Sequence, residues 1–415
     1  MMRLKSFRLT PWMIWMGVLG LMLLIGLIGG FLVFWKGLWI TNLTDLVPWG
    51  LWIAIDLSAI ALSAGAFFLC AGVYLLGLKK YQPVARTATF VGLIGYTTAM
   101  MALLLDIGRP DRFWHSLIYW NHSSLLWEVT MCVMLYLTVL LFEVLPIVAN
   151  YRPLDRRFPS LTGMMRHTHH YAPILAIAGL ALSSLHQSSL GGLYGVLKAH
   201  PIWYRPDMAV LFMASAIIGG TSLTVLASML SARLTPRAKI DDSLLERVAY
   251  FIGWGLVAYL YFRAWDVLAM TYTYQPGRTE GLAILTHGVL SFNFWVLELL
   301  LGALVPLILL LNPRTRANPT LRMFALACVA LGIITYRWDT NLSGLLLVLS
   351  FLPGEPAVFY TSYRPSLVEI ACGIGLVAYA LAAFSIGVRY LKVVDHTTAE
   401  EHVPEAQALA QPVAL

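Results

Sequence analysis

The sequence predicts an all-α polytopic membrane protein with ten transmembrane helices. Three observations predict it. Of its 415 residues, 59% are hydrophobic and only 12% are charged, about half the charged share of a soluble domain. The apolar residues gather into stretches of about 20 or more, enough to cross a hydrocarbon core of about 30 Å. Lys and Arg collect in alternate loops, as the positive-inside rule requires of a multi-pass chain.

Charged or turn residues bound the ten spans, which are expected at about 11–35, 49–78, 85–107, 124–149, 168–187, 206–232, 245–270, 291–311, 319–337 and 366–391. The first follows MMRLKSFRLTP and resembles a signal peptide at first glance. Its apolar run of about 24 residues exceeds an h-region of roughly 7–15, and no small-x-small cleavage site follows, so it reads as a retained helix. The second, WGLWIAIDLSAIAL, holds one carboxylate, Asp56. The third ends LLLDIGRPDRFW, with Asp106 and Arg109, and the fourth opens NHSSLLWEVTMC, with Trp127 and Glu128. The fifth ends SSLHQSSLGG, with His186 and Gln187. The seventh carries Arg263 and Asp266 near its end, the eighth begins SFNFWVLELL with Asn293 and Glu298, and the tenth has Glu369 after SYRPS. The tail after Lys392 is polar and Ala-rich and reads as disordered.

Weak repetition between the third and seventh spans, and between the fourth and eighth, predicts two four-helix bundles, helices 2–5 and 6–9, flanked by helices 1 and 10. The corresponding division is 1–45 for the first helix and outer loop, 46–190 for the first bundle and 191–340 for the second. Residues 341–392 then form an outer loop and the tenth helix, and 393–415 the tail.

One face collects 19 Lys and Arg residues, among them Arg3, Lys5, Arg8, Lys79, Lys80, Arg152, Arg237, Lys239 and Lys392. The other holds 8: Lys36, Arg109, Arg112, Lys198, Arg205, Arg278, Arg337 and Arg364. Both termini are therefore expected in the cytoplasm, in a bacterial inner membrane. The outer loops are long and aromatic, for example GRPDRFWHSLIYWNHSS, and the inner ones are short and basic. That one-sided enrichment marks the outer face as the docking face. The net charge of +7 sits in short loops and is no sign of nucleic acid.

Cys70, Cys132, Cys328 and Cys372 all lie within apolar spans without a C-x-x-C pair. This argues against an iron–sulfur cluster, a zinc site or c-type haem attachment. None of the ten histidines sits mid-span, which argues against haem b. No metal site is expected, and RHTHH at 166–170 reads as a solvated face.

Helix direction places Asp56, Asp106, Glu128 and His186 at one depth, just below the outer surface. Each has a structural reading: Asp106 with Arg109 as an interfacial ion pair, His186 as a satisfied interface residue, Glu128 as a helix–helix contact. Intramembrane ionisable groups are functional hypotheses by default, and four at one level point to a shared polar cavity. Glu143 lies 15 residues beyond Glu128, roughly 22 Å further inward along a helix, and reads as a snorkelling carboxylate, with the inner end of a proton route as the alternative.

PWGLWIAIDLSAIALSAG (48–65), LLLDIGRPDRFW (103–114), NHSSLLWE (121–128) and LHQSSLGGLYGVLKAHPIW (185–203), on ten spans, resemble the NrfD/PsrC family of quinone-interacting membrane subunits. The likeness is nearest to the HybB-type hydrogenase and QrcD-type menaquinone reductase subunits. It covers about residues 45–392. It implies two four-helix bundles, no prosthetic group in this chain, and a quinone site at the outer end of the first bundle. It also implies a periplasmic ferredoxin-like iron–sulfur partner, with a larger redox subunit or multihaem cytochrome beyond it. Asp56 stands where the polysulfide reductase subunit carries a quinone-contacting His.

A quinone takes two electrons and two protons, an apolar slot and polar groups at its carbonyls. Trp49, Trp52 and Trp127 are expected to wall the slot, with Asp106, Arg109 and Gln187 beside it. His186 is the hydrogen-bonding candidate, and Asp56 and Glu128 are the proton carriers, since desolvation disfavours an ionised carboxyl. Arg263, Asp266, Glu298 and Glu369 form a second proton site in this reading. A proton-coupled transporter or ion-translocating subunit without a redox role is the alternative. Transport sites, however, usually lie near the midplane.

Overall fold

The structure is a computed structural model, and it describes residues 10–234, 241–272, 275–350, 352–354, 357–391 and 393–394. Arg3, Lys5, Arg8, Arg237, Lys239, Lys392 and the tail from 395 lie outside the described residues.

The first span is helix α1, Pro11–Lys36; the Thr10 side chain accepts from Met13 N at 3.3 Å, and Pro11 costs no hydrogen bond in the first turn. The second is broken into α2, Leu51–Ser63, and α3, Gly65–Tyr74. At the break Ala64 N bonds Ala61 O, which leaves the Ile60 carbonyl without its helical donor; Gln187 Nε2 supplies one at 3.2 Å. A Cβ on Gly65 would stand 2.4 Å from the Gly220 carbonyl oxygen, so small residues let two helices cross backbone to backbone.

Next come α4, Gln82–Asp106, α5, Leu125–Ala149, α6, Ala172–Gly195, α7, Met208–Leu234, and α8, Asp242–Tyr272. The eighth expected span begins as a π-helix, Asn293–Leu304, and runs into α9, Val305–Leu311. The last two are α10, Pro319–Leu345, capped by Asn318, and α11, Leu367–Tyr390, capped by a Ser366–Glu369 box. Between α10 and α11 a short ribbon pairs β1, Leu347–Leu349, with β2, Val358–Tyr360, antiparallel and with Leu347 opposite Tyr360.

Among the described residues, nine helices are long and apolar enough to cross a membrane. The helix outside that set is α8, whose Arg263, Asp266 and several Tyr and Trp residues lower its hydropathy. Helices α2 to α6 pack on one another, α7 to α10 do likewise, and α1 lies along α11. Helix α7 also packs on α2, α3, α4 and α6, so one hydrophobic core runs through both sets.

Two expected ends move. The ninth helix runs on to Leu345, not 337, and the fifth to Gly195, not 187, because their polar residues find partners on neighbouring helices. Arg337, assigned to an outer loop by sequence, is a fully buried helical residue. Val393 and Val394, assigned to the tail, are buried beside Phe90 and Ile94, and the Val393 carbonyl accepts from Thr87 Oγ1 at 3.1 Å.

Candidate functional site

The end of the molecule holding residues 37–50, 107–124 and 196–207 contains a cavity of about 720 Å³, within the size range of small-molecule sites. Leu51 opens α2, and the helical repeat from there turns Ile53, Asp56, Leu57 and Ile60 onto the cavity. Helix α4 contributes Leu103 and Asp106, α5 Leu126, Val129 and Val133, and α6 His186, Leu190 and Tyr194. Trp49 closes one wall, its ring stacked on Trp203 at 5.9 Å and edge-on to Tyr194 at 5.7 Å.

The cavity is apolar with a few convergent polar groups. Asp56 and His186 are buried, and neither Asp56 Oδ1 nor His186 Nε2 has a hydrogen-bond partner. Asp106 Oδ1 is also without one. A buried unsatisfied polar atom costs roughly 1–3 kcal/mol and calls for an explanation such as a ligand. The other imidazole nitrogen, His186 Nδ1, lies 3.0 Å from the Tyr96 hydroxyl.

The remaining expected residues lie elsewhere. Glu128 is outside the cavity lining and accepts from Ser189 Oγ at 2.8 Å, one turn from His186. Trp52 is outside the cavity lining, buried among Val33, Ala102, Leu105 and Cys372, and its Nε1 donates to the Glu369 carbonyl at 3.1 Å. Trp127 donates to Ser116 O at 2.9 Å and packs on Trp120 and His122. Gln187 serves the break in α2. Arg109 is exposed and pairs with Asp111 at 3.0 Å rather than with Asp106, because the turn at Gly108 carries it off the helix; that pair holds the Asp111 carboxyl below its usual value.

Arg263, Asp266 and Glu298 do come together. Arg263 Nε donates to Glu298 Oε1 at 2.8 Å, Tyr259 donates to the same oxygen at 2.9 Å, and Asp266 pairs with both Arg263 and Arg205. Asn293 donates to Asp339 at 3.0 Å, so the π-helix is tied to α10 at its start; π segments recur at functional sites. Glu369 is not part of this group. It accepts from Asn42 N at 3.0 Å, Ser366 N at 2.8 Å and the Tyr363 hydroxyl. Beside the cluster, the loop carboxyl Asp207 is pushed up to about 6, first by burial and then by the Asp266 charge.

Sequence reasoning missed Tyr96, Tyr194, Arg205, Arg337, Asp339 and Asn341. The run RWDTN, directly after an apolar stretch, was the available signal for three of them. Arg337 Nη2 donates to Phe212 O at 2.8 Å and Ser215 Oγ at 2.9 Å, with its cation 3.7 Å from the Phe212 ring. At the opposite end a smaller pocket of about 170 Å³ is lined in part by Glu143, Arg86, Gln82 and Asn150. Between that pocket and the cavity, Tyr136 packs edge-on to Tyr96 at 4.6 Å. Among the described residues no group of three or more His, Cys, Asp or Glu is placed to hold a metal ion, and the four cysteines are buried and unpaired.

A multi-pass helical membrane protein whose cavity is lined by His186 and three carboxylates, Asp45, Asp56 and Asp106, is thus the class that the fold and site define. The family profile "Polysulphide reductase, NrfD" matches residues 39–349. The chain is 33% identical to the menaquinone reductase integral membrane subunit of Nitratidesulfovibrio vulgaris, over 93% of this chain and 92% of that protein. With the probable Ni/Fe-hydrogenase 2 b-type cytochrome subunit of Escherichia coli it shares 26% identity over 88% of both chains. It is 25% identical to the Hdr-like menaquinol oxidoreductase integral membrane subunit of Archaeoglobus fulgidus, over 88% of this chain and 90% of that protein. This protein belongs to the NrfD family.

Proposed function

We propose that this chain is the quinone-reactive membrane subunit of a multi-subunit oxidoreductase, reducing menaquinone in the α2–α4–α5–α6 cavity. The observation that carries the reading is an apolar cavity holding a buried His186 Nε2 and Asp56 Oδ1 without partners. The slot suits a quinone ring, which is apolar and offers two carbonyl acceptors. With the Tyr96 hydroxyl donating to Nδ1, the neutral imidazole carries its proton on Nε2 and faces the ring as a donor. Asp56 and Asp106 are then the groups that hand over protons. Reduction takes two electrons and two protons per quinone, and the electrons come from a docked iron–sulfur subunit with a larger redox subunit or cytochrome behind it.

In this proposal the cavity end faces the periplasm, α8 is a further span making ten, and both termini are cytoplasmic in the bacterial inner membrane. Residues 46–190 and 191–340 are the two bundles. Glu128, bonded to Ser189 one turn from His186 on α6, relays protons at the cavity edge. The Arg263–Asp266–Glu298 group is the second-bundle proton site.

The test uses the assembled complex. Asp56→Asn and His186→Ala are expected to abolish quinone turnover while dye reduction by the peripheral subunits continues. Wild-type quinone kinetics in both variants would refute the reading.

A further inference from the structure

Helix α10 lies outside the first set of helices, yet it presses on the wall of the cavity. A Cβ on Gly344 would stand 2.2 Å from the Trp203 indole, so only glycine admits that ring. Trp203 donates to Thr340 O at 2.6 Å and stacks on Trp49. In the same turn of α10, Asn341 Nδ2 donates to the Trp49 carbonyl at 2.8 Å, and Asn341 Oδ1 accepts from the Tyr194 hydroxyl at 3.0 Å. Trp49 and Tyr194 both line the cavity. Asn341 itself is fully buried.

The orientation of this amide is not free. A backbone carbonyl only accepts, so the Asn341 nitrogen must face Trp49. Its oxygen must then face Tyr194, and an amide oxygen also only accepts. The single Tyr194 proton is therefore committed to Asn341, and the hydroxyl oxygen keeps only its acceptor capacity.

We infer that Asn341 is a positioning residue that makes Tyr194 an acceptor on the cavity wall, and so biases the site between the two redox forms of its ligand. A quinone carbonyl finds no donor at Tyr194. A quinol hydroxyl, which has a proton to give, finds an acceptor. Asn341 thus favours retention of the reduced form relative to the oxidised one. This inference rests on the quinone reading above and adds a residue from the second set of helices to the site.

The experiment measures two constants in the assembled complex with a water-soluble naphthoquinone: KM for the quinone and the product-inhibition constant of its quinol. Asn341→Leu frees the Tyr194 proton, and the ratio of the quinol constant to the quinone KM is expected to rise about fivefold, the worth of one neutral hydrogen bond. Asn341→Asp keeps an acceptor for the hydroxyl and is expected to hold the ratio within about twofold of wild type. In a Tyr194→Phe background, Asn341→Leu should move the ratio no further. An unchanged ratio in Asn341→Leu, or equal changes in both constants, overturns the inference, since mere loss of packing affects both forms alike. Should the leucine variant fail to accumulate, Tyr194→Phe carries the test alone. It removes the acceptor oxygen, and an unchanged ratio there also overturns the inference. If His186→Ala retains quinone turnover, the site itself is wrong; if His186→Ala is inactive and the ratio is unmoved, only the role of Asn341 fails.

Discussion

The Tyr96 hydroxyl stands 3.0 Å from His186 Nδ1, and both side chains are fully buried. This contact sets the far nitrogen of the ring, Nε2, toward the cavity. Tyr96→Phe keeps the ring volume and removes only the hydroxyl. We expect quinone turnover to fall about fivefold to tenfold, the effect of one hydrogen bond on ring orientation and tautomer. Dye reduction by the partner subunits should not change. Steady-state kinetics with both acceptors checks this, and equal losses with both would refute it.

Arg263 holds Glu298 and Asp266 in a fully buried cluster. Arg263→Met leaves the Glu298 carboxylate without a cation in a dry interior, which costs about 3–5 kcal/mol. Thermal unfolding in detergent should show a large drop. The double variant Arg263→Met/Glu298→Met should recover much of it, because two apolar side chains replace the pair. A double variant as unstable as the single would contradict this account.

Gly220 meets the break between α2 and α3 so closely that a Cβ there would lie 2.1 Å from Gly65 N. Gly220→Val is expected to cost at least the roughly 1–3 kcal/mol of an overpacked core, since backbone atoms cannot move aside as a side chain does. Gly163 has open space around its Cβ position, so Gly163→Ala is the control. The comparison is yield in the membrane fraction and melting temperature.

Asp207 gives a pH signature. Its carboxyl is raised from 3.8 to about 6 in the folded protein by burial and by Asp266. The folded state therefore binds this proton more tightly than the unfolded state. Its contribution is full below about pH 4 and is lost as the pH rises through about 6. Asp207→Asn should flatten the melting temperature across that window and leave the variant the more stable of the two at about pH 7.5. Parallel wild-type and variant curves would contradict the assignment.

Much of the site was legible in the sequence. Asp56 stood out because a carboxylate in an apolar helix has no cheap explanation. Asp106 and His186 followed from helix direction alone, since depth is residue number times rise. The same arithmetic could not say which way a side chain points around the helix. Trp52 lies three residues from Trp49, yet it buries against α11 while Trp49 faces the cavity. Trp127 and Gln187 share the right depth but spend their hydrogen bonds outside the cavity, on Ser116 and on the break in α2.

By itself the sequence determined the class of fold, most of the spans and the level at which the acids collect. Those depend on apolar length and local charge, which are properties of contiguous chain. Only the tertiary structure decided that Arg337, Asp339 and Asn341 belong to a buried helix and not to a loop. The helix continues through them because Phe212, Ser215, Asn293, Tyr194 and Trp49 supply their hydrogen bonds from other segments. Partners distant in sequence satisfy a buried polar group, so no local pattern records whether it is buried or exposed.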